Sequence, residues 1–175
     1  MVAVAATTAL RRSEICGLKW KDLNFETKWM NLERGIVHNV ETKLKTKASR
    51  KGIPMMDDLA DLLAAWKTKT PYCGDDDWVF ASPHRNGEMP LNPVLAMTYW
   101  IQPAAKEAGI EKHFNWHNFR HSVGSLLGQS GENIEVVQEI LRHANSRITQ
   151  DIYMQADQTA KREALNRFSG LRLVS

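Results

Sequence analysis

The sequence predicts an α+β protein that is predominantly α-helical, with a small three-stranded antiparallel sheet near the N-terminus. Much of the chain carries apolar residues at helical spacing, often behind a capping residue. Residues 20–54 differ, because their short alternating runs are broken by Asn and Gly, which is typical of antiparallel strands. A chain of 175 residues with 43% hydrophobic content can bury one core, so we expect a single domain.

The first predicted helix spans residues 7–18. Its apolar positions are Leu10, Ile15 and Leu18. The helix places Arg11 and Glu14 three residues apart, close enough for the two side chains to contact each other. The predicted sheet follows as a meander whose strands include residues 29–32 and 35–37, and whose last strand ends at residues 52–54.

Five further helices are predicted in the rest of the chain. They span residues 59–69, 93–108, 117–129, 134–141 and 159–168. Asp57 and Asp58 cap the first of them, and Asn92 before Pro93 opens the second. The first also carries an apolar stripe that we expect in the core, formed by Leu59, Leu62, Leu63 and Trp66.

Composition narrows the class of protein. The net charge of +3 and pI near 8.9 are only mildly basic, so the placement of the charges matters more than their total. Cys16 and Cys73 lie too far apart for a disulfide framework or a zinc knuckle, which favours a reducing, cytoplasmic setting. The apolar residues 1–6 lack a basic leader region and are too few to span a membrane.

Four short motifs and a tyrosine follow one another along the chain. The sequence Leu10-Arg11-Arg12-Ser13-Glu14 precedes Leu18-Lys19-Trp20-Lys21-Asp22. Further on come His117-Asn118-Phe119-Arg120-His121, then Leu141-Arg142-His143, and Tyr153 ten residues after that histidine. This order resembles the tyrosine recombinase, or phage integrase, family over nearly the whole chain.

The resemblance implies site-specific DNA recombination or integration, by strand cleavage and rejoining through a covalent 3′-phosphotyrosine, without metal, ATP or another cofactor. The catalytic residues that it implies are Arg11, Lys45, His117, Arg120, His143 and Tyr153, with Glu14 in support. The residue types suit this chemistry. A guanidinium can hold two phosphate oxygens and stays protonated, so two arginines from separate elements can clamp one phosphate. A phenol oxygen can form the covalent intermediate.

The basic run at residues 43–51 supplies the implied general acid for the leaving 5′-oxygen. Alignment with the family pattern favours Lys45, but Lys43 and Lys47 stay open because all three project from one face of a strand. The other basic residues are expected to contact DNA phosphates. This DNA-binding set is Lys43, Lys47, Arg50, Lys51 and Arg142, of which Arg142 stands where the family usually has glycine.

The expected partner is double-stranded DNA, bound by a homotetramer in which residues 159–168 dock on a neighbouring protomer. A monomer without DNA, with that segment packed on its own core, is the simpler alternative. Residues 1–175 are expected to form a catalytic domain shortened at its N-terminus, without the separate N-terminal DNA-clamping (core-binding) domain of the family. Full recombination by such a chain is not expected, because lost phosphate contacts weaken DNA binding.

Other interpretations stay open at this stage. His117 and His121, four apart on a helix, have the spacing of metal ligands, although the glutamate of the zinc-protease motif is missing. A second alternative gives His117 a structural role only, either at a helix cap or in the core. The chain as a whole fits two alternative functions, a topoisomerase of the same chemistry or a noncatalytic DNA-binding remnant.

Overall fold

The N-terminal region forms two short helices in the computed structural model, which describes residues 1–44 and 52–142. Helix α1 spans Val2–Thr8 and α2 spans Arg12–Cys16. The prediction of one helix over residues 7–18 is therefore wrong. Ala9 adopts a left-handed conformation with φ 53°, which ends α1, and Arg11 is extended before α2 begins.

A three-stranded antiparallel sheet follows, as predicted, but the predicted meander is wrong, because residues 35–37 lie outside this sheet in a separate hairpin. Strands β1 (Leu23–Asn24) and β2 (Trp29–Met30) are joined by β5 (Ile53–Pro54), in the order β1-β2-β5. Between β2 and β5 the chain forms a separate hairpin of β3 (Arg34–Val37) and β4 (Val40–Lys43), with Val37 opposite Val40. His38 and Asn39 take positive φ at the hairpin turn.

Helix α3 spans Asp57–Lys69, close to its predicted bounds, but the predicted capping by Asp57 and Asp58 is wrong. Met56 stands at the cap position, and the two aspartates lie in the first turn, where their negative charge favours the helix N-terminus. Leu59 and Leu63 are buried, as expected of the apolar stripe. Leu62 and Trp66 are instead exposed by 53% and 40%, so that part of the core prediction is wrong. The indole N–H of Trp66 donates a hydrogen bond to the carbonyl oxygen of Val79 at 2.8 Å.

The second half of the described chain is helical. Helix α4 (Pro93–Ala96) continues through a π-helical segment (Met97–Ile101) into α5 (Gln102–Glu107), and α6 (Trp116–Gln129) and α7 (Ile134–Leu141) follow. As predicted, Asn92 caps the first of these, accepting bonds from the backbone N–H groups of Val94 and Leu95. The predicted helix at residues 159–168 lies outside the described residues.

Two groups of buried residues hold these elements together. The larger joins α1, α2, the three-stranded sheet and α3 around Ile15, Trp20 and Met30. The smaller brings the α1–α2 junction to α6 and α7, and consists of Ala9, Val123, Val137 and Leu141. The α1–α2 junction therefore sits against the two C-terminal described helices, and the predicted α+β class is confirmed.

No helix in residues 1–44 and 52–142 is long and apolar enough to cross a membrane.

Candidate active site

A pocket of about 820 Å³ opens where α2, the β3–β4 turn and the start of α6 meet. It brings together three residues that the sequence predicts to be catalytic, Arg11, His117 and Arg120, from segments more than a hundred positions apart. The polar side chains that line it are Arg11, Arg12, Ser13, His38, Asn39, Asn92, Asn115, His117 and Arg120. The lining is rich in cationic and hydrogen-bonding groups, which suits an anionic ligand.

Arg11 is held at the pocket by Glu14. The Arg11 backbone N–H donates to Glu14 Oε2 at 2.8 Å, and its Nη1 donates to Glu14 Oε1 at 2.9 Å. Glu14 is 2% exposed, whereas the Arg11 side chain is 41% exposed. The predicted contact is thus present, and it orients a guanidinium whose remaining donors are accessible to a ligand.

Arg120 reaches the pocket from the buried face of α6. It lies one turn after Trp116 and one turn before Val123, both of which are buried, and it is itself only 5% exposed. Its Nη1 donates to the carbonyl oxygen of Ala9 at 2.5 Å, and its Nη2 donates to the carbonyl oxygen of Leu141. These bonds offset the cost of burying the charge and tie α6 to the α1–α2 junction and to the end of α7.

Burial has the largest effect on the pKa of Arg120. It lowers the pKa of Arg120 to about 10, and the nearby charges of Arg11 and Arg142 act in the same direction, whereas Glu14 opposes them. Among the described residues this arginine cluster, Arg11, Arg120 and Arg142 around Glu14, holds three guanidinium groups and one carboxylate. Its excess of positive charge lies beside the pocket and favours an anion there.

His117 stands in the first turn of α6, exposed and one turn before Arg120. Its backbone N–H donates to Asn115 Oδ1 at 2.9 Å, so the helix cap fixes the backbone that carries the imidazole. His121, the other histidine of the metal interpretation, is exposed and has its Nδ1 3.3 Å from Ser125 Oγ. Within the described ranges no group of three or more His, Cys, Asp or Glu residues has the arrangement of a metal site.

Arg142 occupies a different place from the one expected of a residue on the DNA-binding surface. It is 2% exposed, and its Nη2 donates to Glu14 Oε2 at 2.6 Å. The chain turns into a left-handed conformation at Arg142, with φ 50°, where α7 ends. A buried carboxylate needs a countercharge, and Arg142 supplies it to Glu14 from the interior.

The other predicted site residues divide into described and undescribed positions. Lys43 is exposed on β4, opposite Arg34 of β3. The predicted residues outside the described part of the chain are Lys45, Lys47, Arg50, Lys51, His143 and Tyr153.

The structure adds polar lining residues to which the sequence analysis gave no role, among them Arg12, His38, Asn39 and Asn115. Arg12 adjoins Arg11, and His38 with Asn39 forms the β3–β4 turn. A signal for the turn was present, because two polar residues prone to positive φ stand between Val37 and Val40 in an otherwise alternating run. That this turn reaches the pocket follows only from the tertiary packing.

Comparison with known proteins identifies a family to which the sequence of this chain is similar. The model of the phage integrase family matches residues 1–160. The chain is 28% identical over 169 residues to a tyrosine recombinase of Pseudothermotoga lettingae, covering 95% of this chain and 52% of that protein. It is also 28% identical over 162 residues to the tyrosine recombinase XerA of Pyrococcus furiosus, covering 91% of this chain and 50% of that protein. The chain thus spans about half the length of these curated relatives.

Solved structures share the fold. The Tn1549 transposon integrase in complex with circular intermediate DNA superposes with a TM-score of 0.77 at 23% identity, covering 96% of this chain and 58% of the integrase chain. The crystal structure of XerA recombinase superposes with a TM-score of 0.71 at 24% identity, covering 95% of this chain and 54% of the XerA chain. The predicted family resemblance is confirmed by the family match over most of the sequence: the chain belongs to the phage integrase family.

Proposed function

We propose that this chain is the catalytic part of a tyrosine site-specific recombinase, which breaks and rejoins duplex DNA through a covalent 3′-phosphotyrosine. The observation that carries the proposal is the meeting of Arg11 and Arg120, from separate elements, at one pocket beside a cluster of net positive charge. Two arginines so placed can take a phosphodiester between them and neutralise charge that develops on its nonbridging oxygens.

The surroundings give each arginine a distinct contribution. Arg11 is anchored through Glu14 yet 41% exposed, so it can close on a phosphate. Arg120 is almost fully buried and bonded to two backbone carbonyls, so it presents a charge that needs little reorganisation when the reaction occurs. His117, exposed at the pocket, accepts the proton of the nucleophile or bonds a phosphate oxygen.

The remaining steps are assigned to residues outside the described part of the chain, apart from Lys43, which is exposed on β4. Tyr153 attacks the phosphorus, and the 5′-oxygen leaves with a proton supplied by Lys45, or by Lys43 or Lys47. His143 donates a hydrogen bond to the phosphate in the transition state. The phosphotyrosine keeps the energy of the broken bond, so a free 5′-hydroxyl can reverse the reaction without ATP, and no step requires a metal ion.

Support for DNA as the partner comes from charge and from the relatives. The basic residues Lys43, Lys47, Arg50 and Lys51 follow β3 in the chain and would contact the phosphate backbone. The relatives above are named tyrosine recombinases, and the Tn1549 integrase was solved in complex with DNA. A tetramer assembled on DNA through the C-terminal segment belongs to the same proposal.

A covalent trapping assay tests the proposal. The protein is incubated with 5′-end-labelled, nicked duplexes drawn from the sequences that flank its gene, in EDTA, and then denatured in SDS. We expect a labelled adduct with the wild-type chain and none with Tyr153→Phe. Because the label stays on the strand that carries the new 3′ end, the adduct also reports the polarity of the bond.

Two outcomes would contradict the proposal. Salt-sensitive DNA binding that is the same in both variants, with no adduct in either, would indicate a noncatalytic DNA-binding protein. Plasmid relaxation without strand exchange between sites would indicate a topoisomerase of the same chemistry.

A further inference from the structure

The carboxylate of Glu14 joins two arginines at once. Its Oε1 accepts from Arg11 Nη1 at 2.9 Å, while its Oε2 accepts from the Arg11 backbone at 2.8 Å and from Arg142 Nη2 at 2.6 Å. The Arg142 side chain is 1% exposed and that of Glu14 is 2% exposed, so water has little access to the contact between these two side chains. The position of the Arg11 guanidinium therefore depends on a carboxylate that Arg142 also holds.

Arg142 also has a backbone conformation that is unfavourable for a residue with a side chain. Arg142 ends α7 with φ 50°, a conformation in which glycine is favoured because a Cβ crowds the backbone. A long cationic side chain at such a position carries strain, and its burial adds a desolvation cost. The contact with Glu14 offsets these costs only in part, since Arg142 Nε and Nη1 have no hydrogen-bond partner among the described residues.

Two neighbouring residues tie the end of α7 to the site. The Leu141 carbonyl accepts a bond from Arg120, and Arg142 donates one to Glu14. Arg120 in turn bonds Ala9 at the α1–α2 junction. The end of α7 thus contacts both of the phosphate-clamping elements, one through each residue.

We propose that Arg142 is a positioning residue, which acts through Glu14 to hold the Arg11 guanidinium in the orientation that binds the scissile phosphate. This inference rests on the proposed function for the phosphate-binding part of the role. It assigns Arg142 a place inside the protein rather than on the DNA. A buried ion pair is weak evidence for stability alone, so the test must separate positioning from folding.

The first measurement is independent of activity. We would record ¹H–¹⁵N spectra of the arginine Nε–Hε groups in the whole chain and assign the Arg11 signal by its loss in Arg11→Lys. In Arg142→Gly, whose glycine suits the left-handed backbone, we expect the Arg11 signal to move toward the position of a free arginine. Arg142→Gln, which fills more of the buried space, should have the same effect, and Arg142→Lys should retain the signal because it keeps a donor for Glu14. An unchanged signal in Arg142→Gly and Arg142→Gln would overturn the proposal.

The second measurement is the rate of covalent adduct formation at saturating DNA. A misplaced phosphate ligand costs rate rather than affinity, so we expect Arg142→Gly to slow the reaction on the order of tenfold or more, with a DNA dissociation constant within about twofold of the wild type. Arg142→Lys should recover most of the rate. Equal rates in the wild type and Arg142→Gly would overturn the proposal.

Arg34 offers a matched control. Its Nη1 donates to Asp22 Oδ2 at 2.5 Å, and these side chains are 11% and 4% exposed, so the pair is also nearly buried but does not involve Glu14. Arg34→Gln should destabilise the fold yet keep the Arg11 signal and the adduct rate. If it reproduced the effects of Arg142→Gly, the positioning role would be wrong. If the wild-type chain formed no adduct while the Arg11 signal responded as expected, the proposed function would fail and the positioning contact would stand.

Discussion

Arg120 shows why arginine, rather than lysine, suits this position. It lies in the buried row of α6 among Trp116 and Val123, where a charge costs free energy unless it is fully bonded. The backbone carbonyl oxygens of Ala9 and Leu141 accept hydrogen bonds from its two terminal nitrogens, Nη1 and Nη2. Burial and the neighbouring arginine charges lower the pKa of Arg120 only to about 10, so the guanidinium stays charged at neutral pH.

Arg120→Lys should make the reaction sensitive to alkaline pH. The same burial and neighbouring arginine charges would lower the pKa of a lysine below its ordinary value of about 10.4. A lysine is charged only below its pKa, so the variant should retain residual adduct formation at slightly acidic pH and lose it at a lower pH than the wild type does as the pH rises. The measurement is the pH profile of single-turnover adduct formation, with the wild type as control. A parallel decline of both proteins as the pH rises would contradict the account of Arg120.

At the scale of elements, the start of α6 is set by its cap. Asn115 Oδ1 accepts bonds from the backbone N–H groups of His117 and Asn118, and the Asn118 side chain accepts one from the Asn115 backbone. Each cap bond satisfies a backbone group that the helix itself leaves unpaired. The first turn, which presents His117 to the pocket, therefore owes its order to two asparagines.

Asn115→Ala should weaken both the helix start and the site. We expect a loss of about 1 kcal/mol in the free energy of unfolding, measured by urea denaturation. Adduct formation should slow on the order of tenfold, because His117 loses its fixed orientation.

Asn133→Ala is the matched control for the cap. Asn133 caps α7 by accepting a bond from the Glu135 backbone at 2.9 Å, so its loss should cost similar stability. It should leave the adduct rate close to that of the wild type. Equal slowing by the two variants would show that lost stability, rather than the orientation of His117, explains the effect.

The sequence predicted features that depend on neighbouring residues and missed those that depend on distant ones. The Asn92 cap, the start of α6 and the Arg11–Glu14 contact are all formed within three residues. The break between α1 and α2 was missed, because the Ala9 carbonyl that it frees is bonded by Arg120, 111 positions away. The inward position of Arg142 likewise depends on Glu14, 128 positions away.

On the scale of the whole molecule, the fold brings three separate arginine-bearing segments to one place. The α1–α2 junction, α6 and the end of α7 meet through Arg120 and Arg142, while the β3–β4 turn lines the same pocket. The family match and the structural neighbours show that the fold itself is shared. The chain spans about half the length of its curated relatives.

The central claim is that Arg11 and Arg120 act together on one phosphate. The most direct measurement compares single-turnover adduct formation by the wild type, Arg11→Ala and Arg120→Ala, with circular dichroism to verify that each variant is folded. Arg85→Ala, which removes an exposed positive charge from the Pro83–Arg85 turn, is the control for net charge. We expect each site variant to lose on the order of 100-fold or more in rate, because a preorganised charge at the transition state is lost, while Arg85→Ala stays near the wild type. Near-normal adduct formation by a folded Arg11→Ala or Arg120→Ala protein would contradict the account.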